Sequence, residues 1–563
     1  MELILKKAIE EAIQGLGLPE VGFSLEHPKE LSHGDYMSNV ALVVGKQVGN
    51  DPAEVANLIT ENLKSQNIEG VESTEVAGPG FINFALKREV FISGLKDAQD
   101  PEWGNTEVYK DQKILVEHSS PNLFKPFHIG HLMNNTIGES LYRLAKSSGA
   151  HATPISFPSD ISLGIAKAIY ILLEKYGEDF APTDVSVLGD AYVEGVRKYK
   201  EAEEEQPCGS IVYKVKEIAD NLYAQKDSPE WRMFEKCKAF NINYFEQVVK
   251  NLGSEFDSYI YESEAGVEGK KIVLENTPNI FEYGEGGAVI YTPEGNRLHT
   301  SVFINGQGNP TYEAKDIGLL DLKFKKYHPD VSIFVTDHEQ ISHFLVVLDA
   351  AKKINQEWFE KSIHRYHGRL SFKGQRTASR VGGVPLVTDI MNSLIEEVKE
   401  KNPDIDLETA HMVTVASIKF SILRSKAGMN IDFDPDTSLS FEGDSGPYLQ
   451  YSAVRAGALL EKGKALGISP SIDSPVSGTE TLERLIPRFI EVCAGAQKAW
   501  APHYIVTYLL ELAQAFNSWY GQGKIVDPED VSGTAYRLSV VAAARQTLIN
   551  GLWVLGIETP EKM

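Results

Sequence analysis

The chain has 563 residues, 42% of them hydrophobic, and carries 79 acidic against 55 basic side chains for a formal net charge of −24. That length calls for several domains, and no apolar run approaches the ~18 residues of a membrane-spanning helix. Three widely spaced cysteines, Cys208, Cys237 and Cys493, exclude a disulfide framework and a Cys-x-x-Cys metal knuckle. The opening MELILKKAIEEAIQGL mixes both charge signs at helical spacing, unlike a secretory or transit peptide, so a cytoplasmic protein is expected.

In chain order, residues 1–105 read as a small α/β unit that closes on EVAGPGFINFAL, a strand entered through a Gly-Pro-Gly turn. A short buried strand follows at Ile114–Val116, and helical spacing returns from Leu132 to Ser147. Between them lies SSPNLFKPFHIGH, Ser119 to His131. Residues from about 166 to 300 are acidic and mostly helical, and include EAEEEQ, as an insertion with a solvated face would. From about 300 the pattern is α/β again, with VSIFV as a strand and HFLVVLDAAKKI as a helix. Beyond about 430 the chain is helical to its end, with apolar residues three and four apart in HYIVTYLLELAQAFNSWY, the pattern of a bundle.

A strand, a turn rich in His and Gly, and then a helix is a common way to hold phosphates. Histidines there can donate hydrogen bonds, the helix N-terminus adds positive potential, and Gly130 leaves room for a flat ring against backbone. Taken alone, His128 and His131 could equally be metal ligands or surface polar residues. The overall acidity does not exclude a polyanionic partner. Residues 361–380, KSIHRYHGRLSFKGQRTASR, hold six basic side chains and no acid, and screening confines charge effects to about 8 Å at physiological salt.

Glu117-His118-Ser119-Ser120-Pro121-Asn122, Lys125-Pro126-Phe127 and His128-Ile129-Gly130-His131 together resemble the signature of class I aminoacyl-tRNA synthetases, and more narrowly of arginyl-tRNA synthetases. HGDYMSNVAL and VAGPGFINFAL resemble that family's N-terminal tRNA-elbow domain. NPTYEAKDIG resembles its substrate-site strand-turn, and SLSFEGDSGPYLQYSAVRA and GLWVLGIETPEKM resemble its anticodon-binding bundle. The resemblance implies a Rossmann-like α/β catalytic domain over 106–425, with a helical insertion near 166–300 and a mobile-loop motif at 373–383. It also implies a small α/β domain over 1–105 and an all-α anticodon-binding bundle over 426–563.

The same resemblance implies ATP with Mg2+, L-arginine and tRNA(Arg) as ligands, a monomer, and no resident metal. ATP would meet Lys125, His128, Gly130, His131, Arg376 and Ser379. In place of the usual Lys-Met-Ser-Lys-Ser stands Arg376-Thr377-Ala378-Ser379-Arg380, so Lys125 is expected to supply the cation that the second lysine would. Arginine would meet Glu117, Ser120, Asn122, Tyr312, Asp316 and Gln340, because a buried guanidinium demands a matched carboxylate. The anticodon would meet Tyr448, Gln450, Tyr451 and Arg455, with Trp519 and Tyr520 nearby, through stacking on unpaired bases. A smaller nucleotidylyltransferase and a tRNA-binding paralogue that does not ligate are the rival readings.

Overall fold

The structure, a computed structural model, describes all residues except 29, 206–208, 296 and 374–385. It divides into two compact units, one of Met1–Trp103, Arg455–Phe489 and Glu511–Thr547, the other of Gly104–Val454, Ile490–Leu510 and Leu548–Met563.

The first unit begins with α1 (Glu2–Gly15), which buries Leu5, Ala8, Ile9, Ala12 and Ile13 along one face at helical spacing. β1 (Leu25–Glu26), β2 (Tyr36–Ser38), α2 (Val40–Val48), α3 (Pro52–Ser65), β3 (Val71–Ala77), β4 (Phe81–Leu86) and α4 (Arg88–Asp97) follow. The strands form an antiparallel sheet ordered β1-β2-β4-β3, in which β3 and β4 meet at the Gly-Pro-Gly turn. Asp35 of HGDYMSN is spent inside this unit. Its carboxylate accepts the Leu86 N–H at 2.8 Å and Arg484 at 2.6 Å. Arg88 likewise grips the fully buried Glu483 through two 2.8 Å bonds. Tyr536 and Thr479 donate to the same carboxylate, and against the burial penalty these donors hold it below the ordinary glutamate range.

The second unit is built on β5 (Lys113–Glu117), α5 (Ile129–Lys146), β6 (His151–Ser156), α6 (Leu163–Tyr176), α7 (Val185–Glu205), α8 (Ser210–Tyr223), α9 (Pro229–Asn251), β7 (Ser258–Tyr259) and α10 (Glu262–Glu275). Next come β8 (Glu282–Tyr283), β9 (Val289–Tyr291), β10 (Ser301–Ile304), α11 (Tyr312–Tyr327), β11 (Val331–Asp337), α12 (Ile341–Ile354), α13 (Gln356–Glu360), β12 (Ser362–His367) and β13 (Leu370–Phe372). α14 (Val387–Lys401), α15 (Leu407–Leu423), β14 (Ile431–Phe433) and α16 (Pro435–Ser438) complete the run before the helical region. That region is divided between the two units and comprises α17 (Gly446–Ala465), α18 (Glu480–Leu485), which belongs to the first unit, α19 (Phe489–Ala499), α20 (His503–Tyr520) and α21 (Val531–Val554). No helix among the described residues is long and apolar enough to cross a membrane.

Five parallel strands order as β12-β11-β5-β6-β7. Ile114, Leu115 and Val116 are buried, as a strand covered on both faces requires. From β5 the chain winds one way through β6 and β7, and β11 and β12 lie on the other side. The β5–β11 boundary is therefore the topological switch point, where such sheets bind ligands beyond their carboxyl ends.

Two expectations need correction. The stretch from about 166 is mostly helical only as far as α10, with the short β7 among its helices; β8, β9 and β10 then form an antiparallel ribbon. Phe281, Tyr291 and Phe303 pack as its aromatic core, and Gly286 and Gly287 take the positive φ of its turn. Nor is NPTYEAKDIG a strand-turn, because Thr311 caps α11 and puts Tyr312 and Asp316 in its first two turns.

Candidate functional site

At the switch point a cavity of about 690 Å³ opens beyond β5 and β11. Its lining includes Glu117, Ser120, Asn122, Lys125, His128, Gly130, His131, Tyr312, Asp316 and Gln340, all within the second unit. Arg376 and Ser379 lie outside the described residues.

The turn after β5 is made from strained backbone. Ser119 sits at φ +55° and Phe124 at φ +63°, a region L-residues rarely occupy. Two asparagines hold it there. Asn134 on α5 accepts the Ser119 N–H at 2.6 Å and donates to the Val335 carbonyl of β11 at 2.6 Å, so it ties together the two strand ends that flank the site. Asn241 on α9 accepts the Phe124 N–H at 2.6 Å. Ser120 Oγ accepts the Phe157 N–H at 3.1 Å, and Asn122 bridges Ser159, anchoring the turn to the end of β6.

His128 is the N-cap of α5. Its Nδ1 accepts the Gly130 N–H at 3.1 Å, and His131 Nδ1 accepts the His128 N–H at 3.2 Å, with the rings stacked 3.9 Å apart. Both Nδ1 atoms being acceptors, the proton of each neutral ring is on Nε2, ready to donate. Burial lowers the pKa of both, and the charge of Lys125 pushes the same way, so the rings are neutral donors at pH 7. A Cβ on Gly130 would come within 3.1 Å of the His128 ring, so that glycine serves the cap as well as the cavity. Lys125 reaches over the Tyr192 ring at 4.8 Å to its centre, a contact that steadies the ammonium at the cavity wall.

Opposite stand the carboxylates. Glu117 is buried and accepts Lys323 Nζ at 2.7 Å. Asp316 accepts His343 Nε2 at 2.6 Å. Among the described residues, each of these carboxylates therefore has one oxygen occupied by the protein and one left for a cationic ligand. Beside them Glu262 and Lys315 form a buried ion pair at 2.5 Å. Burial raises the Glu262 pKa. In Lys315 burial pulls the other way, and Glu262 outweighs it to hold the ammonium above its usual range. At the rim, Asp337, His338 and Glu339 bring ligand atoms within 4.8 Å of one another. Asp337 already accepts the Glu339 N–H at 2.9 Å, and Glu339 is paired with Arg369, so this cluster is not a built cation cage.

Of the residues expected to meet RNA, Gln450 is corrected. It is fully buried and its amide donates to the Glu558 and Met412 carbonyls, so it cannot reach a base. Tyr448 and Tyr451 are half-buried on α17. Arg455 lies over the Tyr520 ring at 4.5 Å and bonds Asn517 at 2.5 Å. Sequence reasoning missed Asn134, Asn241, Lys323 and His343; only His343 left a signal, three residues after Gln340 at a helix start.

Three family models match in sequence. They are the arginyl tRNA synthetase N terminal domain over residues 3–86, the catalytic domain of class I (R) tRNA synthetases over 98–434, and the DALR anticodon binding domain over 449–563. The arginine–tRNA ligase of Clostridium perfringens is 28% identical, over 99% of this chain and all of that protein. That of Borreliella burgdorferi is 28% identical over 97% of this chain and 95% of its own. Among solved structures, the arginyl-tRNA synthetase of Thermus thermophilus matches at 25% identity and TM-score 0.79 over 99% of both chains. The Plasmodium falciparum enzyme matches in fold at TM-score 0.81 and 20% identity, over 99% of this chain and 98% of its own. With its catalytic-domain match alone spanning more than half of its length, the chain belongs to the class I arginyl-tRNA synthetase family.

Proposed function

We propose that this protein is an arginine–tRNA ligase, which activates L-arginine with ATP as arginyl-adenylate and passes the arginyl group to the terminal ribose of its tRNA. The observation that carries the reading is a single cavity with neutral histidine donors at a helix N-terminus on one wall and half-occupied carboxylates on the other.

In this reading the arginine carboxylate attacks the α-phosphate in line and pyrophosphate leaves. No covalent enzyme intermediate is needed; alignment and charge stabilisation do the work. His128 and His131 donate from Nε2 to phosphate oxygens, the N-terminus of α5 adds its positive end, and Lys125 adds a full charge. Arg376 and Ser379 are assigned to the nucleotide on sequence alone. Magnesium brought in with the nucleotide would supply further positive charge to offset that of the leaving pyrophosphate.

Asp316 and Tyr312 meet the guanidinium with Gln340, while Ser120, Asn122 and Glu117 meet the amino-acid end. Tyr448, Tyr451 and Arg455 with Tyr520 offer stacking faces for unpaired tRNA bases. The enzyme acts as a monomer.

ATP–pyrophosphate exchange with arginine, with and without arginine-accepting tRNA, tests the reading. Exchange requiring arginine is expected, and requiring tRNA as well. Its absence under both conditions, with tRNA still bound, would leave a binding paralogue. In the same assay Lys125→Ala is expected to raise the KM for ATP at least ~10-fold, since it removes a charged phosphate donor. An unchanged KM would show that Lys125 does not replace the missing lysine.

A further inference from the structure

His343, the third residue of α12, is aimed into the cavity at the carboxylate assigned above to the guanidinium. Its Nε2 stands 2.6 Å from Asp316 Oδ2 and its Nδ1 3.8 Å from Glu313 Oε1. Both acids come from α11, and His343 is only 23% exposed. Its ring meets Phe344 edge-on at 4.9 Å. Behind Phe344 lies His364 of β12, stacked on Phe334 and bonded to Thr336 Oγ1 at 2.7 Å. Of the other acids on the cavity wall, Glu117, Glu262 and Glu339 have basic partners of their own in Lys323, Lys315 and Arg369, and Asp337 lies 2.9 Å from His338 and 4.0 Å from His367; Lys125, His128 and His131 are the wall's remaining basic groups.

We propose that His343 is a positioning residue that competes with the substrate guanidinium for Asp316. As an imidazolium it neutralises the carboxylate of the empty site, and as a neutral Nε2–H donor it holds the carboxylate in place with its charge free for arginine. The proposal rests on the reading that Asp316 receives the guanidinium. Two states of one ring are chemically distinct here. The proton on Nδ1 faces Glu313, so in the empty site two acids favour the cation. A guanidinium on Asp316 neutralises the nearer acid and sets two cations side by side, which favours loss of that proton.

The electrostatics agree. Burial pulls the His343 pKa down, and the hydrogen bond and charge of Asp316, with Glu313, more than offset it, leaving the pKa above the usual histidine value. His364 is held near 4 by burial and by the neighbouring His343, so it stays neutral across the same pH range. Binding that expels a proton strengthens as pH rises and weakens as pH falls through the pKa of the empty site, by at most about tenfold per pH unit.

The test is tRNA-dependent ATP–pyrophosphate exchange, with arginine titrated at pH values between about 6 and about 9. For the wild type, the KM for arginine is expected to rise roughly three- to tenfold from the alkaline to the acid end, with kcat moving less. His343→Gln, which can still donate but does not titrate, is expected to flatten that slope, with His343→Asn as a second donor-bearing variant. His343→Leu is expected to raise KM at every pH and also to flatten it. A donor-bearing variant that keeps the wild-type slope, or a leucine variant with the wild-type KM, would overturn the proposal. Absence of arginine-dependent exchange in the wild type at every pH would instead overturn the ligase reading, and the proposal with it.

Discussion

Asn134→Ala is expected to lower kcat/KM for arginine-dependent exchange about a hundredfold, while costing only ~1–2 kcal/mol of stability. The asymmetry follows from what the amide holds. It supplies the acceptor for the Ser119 N–H, at a residue in left-handed backbone, and the donor to Val335 on the neighbouring strand. Without it the turn can relax to ordinary φ, and a displacement of about 1 Å in Ser120, Asn122 and His128 misaligns the reacting groups. Asn134→Asp keeps the acceptor and loses the donor, so it should fall between wild type and alanine. Steady-state kinetics on the three proteins, alongside thermal melts, checks both halves. An alanine variant within about threefold of wild type would mean that the strained turn is held by Asn241 and the β6 contacts alone.

That residue also marks how far the sequence could be read. The turn from Ser119 to His131 was legible because its chemistry is local: a strand end, a cap and a helix within one short stretch. Tyr312, Asp316 and Gln340 became legible only by resemblance, and the structure brings them to the same cavity. Asn134 was not legible, since an asparagine on a helix face has no local signature and its partner Val335 is 201 residues away. Lys323 is hidden for a similar reason. It looks like a solvated helix lysine beside Lys325 and Lys326, yet it is buried against Glu117, 206 residues earlier. Gln450 shows the opposite failure, a polar residue beside two tyrosines that reads as a base contact and is consumed by two backbone carbonyls. The β8–β10 ribbon was missed because its strands are two to four residues long, too short for alternation to stand out from the helices before it.

Gly318→Val is expected to be among the most damaging single changes for the second unit, costing upwards of ~3 kcal/mol. α10 and α11 cross at a pair of glycines. A Cβ on Gly318 would lie 1.9 Å from the Ala265 carbonyl oxygen, and one on Gly269 would lie 1.7 Å from that of Ala314. Neither neighbour is a side chain that can turn away, so the helices must separate. Separation pulls on the buried Lys315–Glu262 ion pair, whose remaining burial without contact is costly. It also shifts Asp316, the residue after Lys315, from the position where one oxygen is held by His343. Function should therefore fail before global folding does. A lower thermal midpoint is expected together with a KM for arginine raised by at least ~10-fold and a smaller change in the KM for ATP, whose described donors sit in the turn before α5 and in its first turn. Gly523→Val is the control, because a Cβ there meets nothing within 4 Å. If Gly318→Val melted like the control and bound arginine normally, the close crossing of α10 and α11 would not be what sets the position of Asp316, and the arginine wall of the cavity would have to be held by α12 instead.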